Sequence, residues 1–183
     1  MNELDAIREY HAEKDRLRKL KKQKQKYVKP ESVKQLEELH YEQSKLKHPG
    51  LPCYVRTSFR DDTANALTKC ITSWLQLYGH QAERINTMGR PVDNSRIVTD
   101  CIGRKRRIGS IKWIPSGSTQ GSADVSATIG GRSVKIEVKV GHDRQSEAQK
   151  KYQKDIESAG GTYLIARSFD DFLAQIKPVI ENK

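Results

Sequence analysis

Two alternating stretches of apolar and polar residues, separated by Gly130-Gly131, constrain the fold of this chain more than any other feature. Residues 123–129 and 133–140 alternate with the period of strands that bury one face and expose the other. A glycine pair is typical of a two-residue hairpin turn, because both turn positions favour positive φ. The sequence therefore predicts an antiparallel hairpin whose register is set by the turn.

That register predicts which side chains lie next to one another. Pairing residue 129 with residue 132 puts Asp124 directly opposite Glu137, and Lys139 follows two residues along on the same face. Two adjacent carboxylates repel each other unless a positive charge lies between them, and hard cations such as Mg2+ prefer oxygen ligands. The hairpin is thus a candidate metal site. An exposed polar face on which Lys139 neutralises the two acids is the alternative.

Elements on both sides of the hairpin predict a sheet covered by helices, which is an α/β or α+β fold. A polar, turn-rich stretch is expected up to Arg107, and Asp61 or Asp62 is expected to cap the first helix of this part of the chain. The remaining predicted elements are a helix at 61–78, strands at 81–85 and 108–114, a helix at 146–159, a strand at 162–166 and a helix after Ser168.

The first 50 residues predict a basic helical arm. They contain 13 Lys and Arg against 9 Asp and Glu, and few apolar residues. Helices are expected at 3–27 and 31–46, both solvated, because their apolar stripes are too thin for a separate core. The prolines and glycine of residues 48–52 predict a boundary between this arm, 1–50, and a domain at 51–183. The arm is a candidate for binding DNA or a protein, and a merely soluble charged arm is the alternative.

The whole chain carries a formal charge of +11, which favours a nucleic-acid partner. No apolar stretch is long enough to span a bilayer, and no signal-peptide pattern opens the sequence. The three cysteines, Cys53, Cys70 and Cys101, are too widely spaced for a zinc site or a disulfide framework. These features together predict a cytoplasmic protein without a membrane partner.

Residues around the hairpin carry a more specific pattern. Gly121-Ser122-Ala123 precedes Asp124, the second strand reads Ile136-Glu137-Val138-Lys139, and the next helix contains Ser146-x-x-Gln149. The pattern continues in Arg84-x-Asn86, in residues 159–163 and in residues 166–171. Together they resemble the PD-(D/E)XK nuclease signature. They are most similar to its VRR-NUC branch, in particular the small stand-alone phage-type members. The resemblance covers about residues 62–176.

This resemblance implies a restriction-endonuclease-like αβββαβ core, a mixed sheet flanked by helices, and metal-dependent endonuclease cleavage of DNA. Asp124, Glu137 and the backbone carbonyl of Val138 would bind Mg2+ or Mn2+. The metal would polarise the phosphate, while Lys139 would orient the attacking water or stabilise developing charge and Gln149 would assist. The resemblance also implies selectivity for branched or flap DNA, a homodimer, and, for a phage-encoded chain, the host cytoplasm.

Two departures from the family pattern matter. Ala123 replaces the proline that usually precedes the aspartate. Residues 62–68 also lack the glutamate that the family's first helix often supplies, so Asp61, Asp62 or Asn65 would have to serve. Glu83 is a further candidate ligand. If none of these acts, the alternative is a catalytically weak or inactive DNA-binding or assembly protein that retains the nuclease fold.

Several residues outside the hairpin are candidate DNA contacts. Arg84, Ser118 and Ser122 are expected near the phosphate, although each also suits ordinary strand or loop polarity. A compact basic cluster predicts contact with the DNA backbone by charge neutralisation, with a solvated turn as the alternative. Its members are Arg104, Lys105, Arg106 and Arg107.

Overall fold

The protein is mixed α/β in a computed structural model that describes residues 13, 14 and 27–181. The helices within residues 27–181 are α1 Glu31–Lys47, α2 Ala64–Leu77, α3 Glu147–Ser158 and α4 Phe169–Glu181. The strands are β1 Gln81–Arg84, β2 Arg90–Asp93, β3 Arg96–Thr99, β4 Lys105–Ile108, β5 Ile111–Ile114, β6 Val125–Ile129, β7 Arg132–Val138 and β8 Thr162–Ala166. No helix in these ranges has the length and apolarity that crossing a membrane requires.

The central sheet has the strand order β1-β6-β7-β8. Its first three strands are antiparallel neighbours, and β8 runs parallel to β7. The hairpin register is as predicted, because Ile129 pairs with Arg132 and Val125 pairs with Ile136. The apolar face of this hairpin, which includes Val125 and Ile136, is buried in the core together with residues of α1, α2 and α4. The opposite face is polar, and α3 lies on that side.

The cap of α2 differs from the prediction. Thr63, and not Asp61 or Asp62, is the N-cap, and its side chain accepts a hydrogen bond from the Ala66 amide at 3.3 Å. Asp61 instead accepts bonds from the Tyr27 hydroxyl at 2.7 Å and from the Phe169 amide at 3.3 Å. The aspartate therefore fixes the start of α4 to the segment before α1, a long-range role that local sequence cannot reveal.

Helix α1 is not simply solvated, so that expectation is wrong for one of its faces. Val33 and Leu36 are buried in the same cluster as the residues of the sheet and α2. Gln43 also donates a hydrogen bond to the Leu77 carbonyl at 2.8 Å, at the end of α2. A thin apolar stripe is sufficient here because the other elements supply the rest of the core. The helix predicted at 3–27 lies almost wholly outside the described residues.

Residues 90–114 also differ from the prediction of a turn-rich stretch followed by a strand at 108–114. Strand β2 pairs with β5, and β3 pairs with β4. The pairing of β2 with β5 continues without a shift into the pairing of β3 with β4. The four strands therefore form a single two-stranded antiparallel ribbon, which is inserted between β1 and β6. Its strand residues are almost all exposed on both faces. Without a buried face there is no alternating pattern, which is why sequence periodicity misses this element.

Candidate functional site

The polar face of the β6–β7 hairpin carries the candidate site. Continuing the ladder by one position from the Val125–Ile136 pair puts Asp124 across from Glu137, as predicted. Asp124 is held on both sides. Its Oδ2 atom accepts a hydrogen bond from the Val138 amide at 2.9 Å, and its carbonyl accepts one from the Ile85 amide at 2.8 Å. The aspartate therefore has a fixed position at the start of β6.

Glu137 is the most buried member of the site, with 2% of its surface exposed. Its Oε1 atom accepts from Gln149 Nε2 at 2.5 Å and lies 3.0 Å from Lys139 Nζ. Its Oε2 atom accepts a longer bond from the Tyr163 hydroxyl at 3.4 Å. Burial raises the pKa of Glu137, and the charge of Asp124 adds to this, against the lowering effect of Lys139. The two carboxylates thus form a site in which negative charge is only partly compensated.

Lys139 is also buried, and it stays a cation. Its ammonium lies 3.0 Å from Glu137 Oε1 and 3.3 Å from Asp143 Oδ2. Burial by itself lowers the pKa of Lys139, but the hydrogen bonds and charges of Glu137 and Asp143 raise it above its usual value. A lysine in this state can stabilise negative charge on a ligand but is poorly suited to accept a proton.

Gln149 is oriented by the helix on which it lies. Ser146 is the N-cap of α3, and the Gln149 side chain returns the capping bond: its Oε1 atom accepts from the Ser146 amide at 2.9 Å. This capping box leaves the Nε2 group directed at Glu137. The Ser-x-x-Gln motif therefore combines a helix cap with a donor to the buried carboxylate.

Gly121 allows the segment before Asp124 to approach α3. Its φ is +82°, and a Cβ atom at this position would lie 2.4 Å from the Ala148 carbonyl oxygen. Only glycine fits such a close backbone approach in this conformation. Next to it, Ser122 is buried and donates its hydroxyl to the Thr119 carbonyl at 2.5 Å. The predicted phosphate contact Ser122 thus has a structural role in the loop.

The other predicted DNA contacts lie at separate places. Arg84 pairs with Val125, so it is on the sheet face opposite to Asp124, and it donates to Asn65 Oδ1 at 2.6 Å. Ser118 lies at the base of the ribbon, where its hydroxyl is 2.7 Å from that of Ser116. The basic cluster lies farther out, at the tip of the ribbon and along β4. The structure therefore brings none of these side chains into the contacts around Glu137.

Two of the candidate acids for completing a metal site, Asp61 and Asp62, have partners elsewhere, whereas Glu83 lies on the face of the site. Asp61 is occupied by Tyr27 and Phe169, and Asp62 forms an ion pair with Arg60 at 2.6 Å. Glu83 pairs with Ser126, so it shares the face of Asp124 at the neighbouring position of the ladder. Within residues 27–181, no group of three or more His, Cys, Asp and Glu side chains is arranged to hold a metal ion.

Sequence reasoning missed two members of the cluster. Tyr163 contacts Glu137 because β8 runs parallel to β7 and places Tyr163 beside Lys135, on the polar face. The alternation of residues 162–166 gives the face of this tyrosine relative to its neighbours, but the partner strand and register are not readable from sequence. Asp143 closes the cluster from the loop after β7 through its contact with Lys139. Its only signal was its closeness to the motif.

Fold and site together define a mixed α/β protein with a partly buried cluster of two acids, a lysine and a glutamine at one end of its central sheet. No protein-family model matches the chain, and the comparison with curated proteins gives no match.

Proposed function

We propose that this protein is a divalent-metal-dependent endonuclease of the PD-(D/E)XK kind, most similar to VRR-NUC proteins, that hydrolyses DNA phosphodiester bonds. One observation carries the proposal: Asp124 and Glu137 lie opposite each other on a hairpin, and Lys139 and Gln149 both contact the same oxygen of Glu137. A preference for branched or flap DNA and a homodimeric state follow from the resemblance alone.

The order of elements supports this proposal. Without the ribbon, the chain runs α2, β1, β6, β7, α3, β8, which is the αβββαβ order that the resemblance implies. The acids lie at the end of the central hairpin, and the helix that follows supplies Gln149. The ribbon is an insertion between the first and second strands of this core.

The residues of the site fit a hard divalent cation. Asp124 and Glu137 offer carboxylate oxygens, which Mg2+ and Mn2+ prefer. The N–H and C=O groups of one strand residue point to the same side, and the Val138 amide bonds to Asp124. The Val138 carbonyl therefore faces the aspartate as well, in accord with its expected role as third ligand. Burial, and to a smaller extent the charge of Asp124, raise the pKa of Glu137, so a bound cation would favour the charged form of this carboxylate.

A bound cation would act as a Lewis acid on a phosphate oxygen. The chain's own groups have separable tasks. Lys139, as an ammonium, stabilises the negative charge of a phosphate next to the acids. Gln149 and Tyr163 hold the Glu137 carboxylate in one orientation, because each donates to one of its two oxygens. The apolar face of the hairpin keeps both acids on a rigid support.

A second candidate is a DNA-binding or assembly protein with weak or no catalysis. The contacts of the first-helix candidates favour it: Asp61 is bonded to Tyr27 and Phe169, and Asn65 accepts from Arg84 on the opposite face. Neither is placed to complete the cluster around Glu137. This arrangement predicts weak metal binding.

The test is cleavage of end-labelled duplex, flap, four-way-junction and single-stranded DNA by the full chain with Mg2+ or Mn2+. We expect Glu137→Gln to slow cleavage at least about 100-fold, which corresponds to ~2.7 kcal/mol of transition-state stabilisation. Glu157→Gln, a matched neutralisation at an exposed position of α3, leaves the rate unchanged. EDTA abolishes cutting. Folded wild type that cuts no substrate with either metal supports the binding protein instead, and cutting that survives Glu137→Gln rejects this site.

A further inference from the structure

Residues 90–114 form one continuous antiparallel ribbon. The register of β2 with β5 carries on into β3 with β4, and the Asn94 amide bonds to the Ser110 carbonyl at 3.4 Å between them. At the tip, the Asp100 amide donates to the Arg104 carbonyl at 2.9 Å. Each side has about ten residues at ~3.3 Å per residue, so the ribbon is ~30 Å long.

The ribbon is strongly basic. It contains seven cations and two acids. Both acids are paired, Asp100 with Arg106 at 3.5 Å and Asp93 with Arg107 at 3.0 Å. Directly paired residues of a ladder share a face, so the even-numbered residues lie together. That face carries five of the seven cations: Arg90, Arg96, Arg104, Arg106 and Lys112.

Apolar side chains are interspersed with these cations. Eight of the thirteen large apolar side chains that are exposed in the described residues lie between positions 88 and 114. Ile97 is 71% exposed and Trp113 is 62% exposed. On the charged face, the ladder pairs Arg90 with Ile114 and Val98 with Arg106. Ile97, Ile111 and Trp113 lie on the opposite, odd-numbered face, where the ladder pairs Trp113 with Pro91.

Two short segments of chain connect the base of the ribbon to the candidate site. The chain leaves the sheet after β1, where the Ile85 amide bonds to the Asp124 carbonyl, and it returns immediately before Asp124. Residues 85–89 and 115–123 therefore connect the base of the ribbon directly to the position of Asp124. Gly89 and Pro115 flank the ribbon at this base, where a Cβ on Gly89 would lie 2.4 Å from the Trp113 indole nitrogen.

We propose that this ribbon is a binding arm for double-stranded DNA and lies in its major groove. The major groove is ~12 Å wide and admits a two-stranded β-ribbon, and the ribbon's ~30 Å approach the ~34 Å of one helical turn. The cations meet phosphates on both sides of the groove, and the apolar side chains meet sugars and thymine methyl groups. The inference rests on the proposed function in that the ligand is the nuclease's substrate.

Other ligands fit the ribbon less well. A second copy of the ribbon would bring two surfaces of charge +5 together, which is unfavourable. Single-stranded DNA is bound mainly by stacking its bases on aromatic side chains, and Trp113 is the one aromatic residue between positions 90 and 114. Duplex DNA matches the ribbon in charge, width and length.

The experiment is a titration of a labelled 20-base-pair duplex with the full chain in EDTA, at several salt concentrations. The ribbon variant carries Arg96→Gln, Arg104→Gln, Lys105→Gln and Lys112→Gln, which leave both ion pairs of the ribbon in place. Its matched control loses the same charge elsewhere through Arg132→Gln, Lys151→Gln, Lys154→Gln and Lys177→Gln. We expect the ribbon variant to bind at least about tenfold more weakly and its salt slope to fall by about three to four.

A tip variant with Arg104→Gln and Lys105→Gln alone should show about half of that change in slope, so the test does not depend on a single variant. Equal losses in the ribbon variant and the charge control would overturn the assignment. The assignment would also be overturned if single-stranded DNA or polyglutamate bound the wild type as tightly as the duplex does. It would equally be overturned if the ribbon variant bound DNA normally but sedimented as a monomer where the wild type sediments as a dimer.

The same proteins separate this inference from the proposed function. Wild type that binds duplex through the ribbon but cuts nothing with metal refutes the nuclease and supports the arm. Wild type that cuts with metal while the ribbon variant binds and cuts equally well refutes the arm and supports the nuclease.

Discussion

Replacing Gln149 with glutamate should convert the central hydrogen bond of the site into a repulsion while leaving the helix cap intact. The Gln149 Oε1 atom accepts from the Ser146 amide, and a glutamate oxygen can accept in the same way. The Nε2 group that donates to Glu137 at 2.5 Å, in contrast, becomes a second carboxylate oxygen. The substitution therefore tests the contact with Glu137 separately from capping.

The expected cost follows from the burial of Glu137, which is 2% exposed. A hydrogen bond to a charged group contributes about 1.5–3 kcal/mol, and this is lost. Two like charges 4 Å apart repel by about 4 kcal/mol at an effective dielectric constant of 20. Protonating one carboxyl removes the repulsion and restores a hydrogen-bond donor, so the cost of protonation limits the total. At pH 7 this cost is about 3.7 kcal/mol for a glutamate with an unperturbed pKa of ~4.3. We expect Gln149→Glu to lower the free energy of unfolding by about 3–4 kcal/mol at pH 7.

The sign of the pH dependence follows from the raised folded-state pKa. When the pKa of a carboxyl is higher in the folded than in the unfolded protein, the free energy of unfolding falls as the pH rises. The deficit of Gln149→Glu should therefore shrink as the pH falls from 7 to 5. Urea unfolding at pH 5, 6, 7 and 8, followed by tryptophan fluorescence and circular dichroism, measures this.

The double variant Gln149→Glu with Glu137→Gln is the decisive control. It restores one carboxylate and one amide with their positions exchanged, so it should recover most of the lost stability. Two results would show that the side chains do not interact as described. One is that Gln149→Glu lowers the free energy of unfolding by less than about 0.5 kcal/mol at pH 7, and the other is that the double variant loses as much stability as Gln149→Glu alone.

Three further predictions test other contacts. Gly121→Ala should destabilise the protein by about 2 kcal/mol or more, because the new Cβ meets the Ala148 carbonyl and φ is +82°; thermal unfolding measures this, and a change in Tm below about 2 °C would contradict it. Affinity for Mn2+, measured by calorimetry, should rise between pH 5 and pH 7, since the raised pKa of Glu137 keeps a proton on this ligand at acid pH; a pH-independent affinity would remove Glu137 from the ligand set. Tyr27→Phe should lower the free energy of unfolding by about 1.5–2 kcal/mol, because it deletes the hydrogen bond from the tyrosine hydroxyl to Asp61. Burial raises the pKa of this hydroxyl to about 12, so it is a neutral donor at pH 7. Unchanged urea unfolding would refute this prediction.

The hairpin shows what the sequence can predict. The Gly130-Gly131 turn and the alternation on both sides define the register, and the structure confirms it. Parity then places Asp124, Glu137 and Lys139 on one face without further information. The contact of Gln149 with Glu137, in contrast, depends on how α3 packs on the sheet, and only the family resemblance pointed to it.

Elements that depend on distant partners could not be predicted in the same way. The burial of Val33 and Leu36 requires a surface that is assembled from several other segments. Tyr163 joins the site through a parallel pairing, and its register has no local signal. The ribbon lacks a buried face, so its strands do not show the period that identifies strands elsewhere.

The ribbon has a consequence for how the chain folds. Strands β1 and β6 are neighbours in the sheet, yet 40 residues separate Arg84 from Val125. If the ribbon forms first, its ladder brings residues 90 and 114 together, and only about 15 residues of loop remain to be closed. The entropy of closure then falls by about 1 kcal/mol, which is roughly a fivefold gain in the closing equilibrium. The insertion that extends away from the sheet therefore shortens the path by which its edge strand finds its partner.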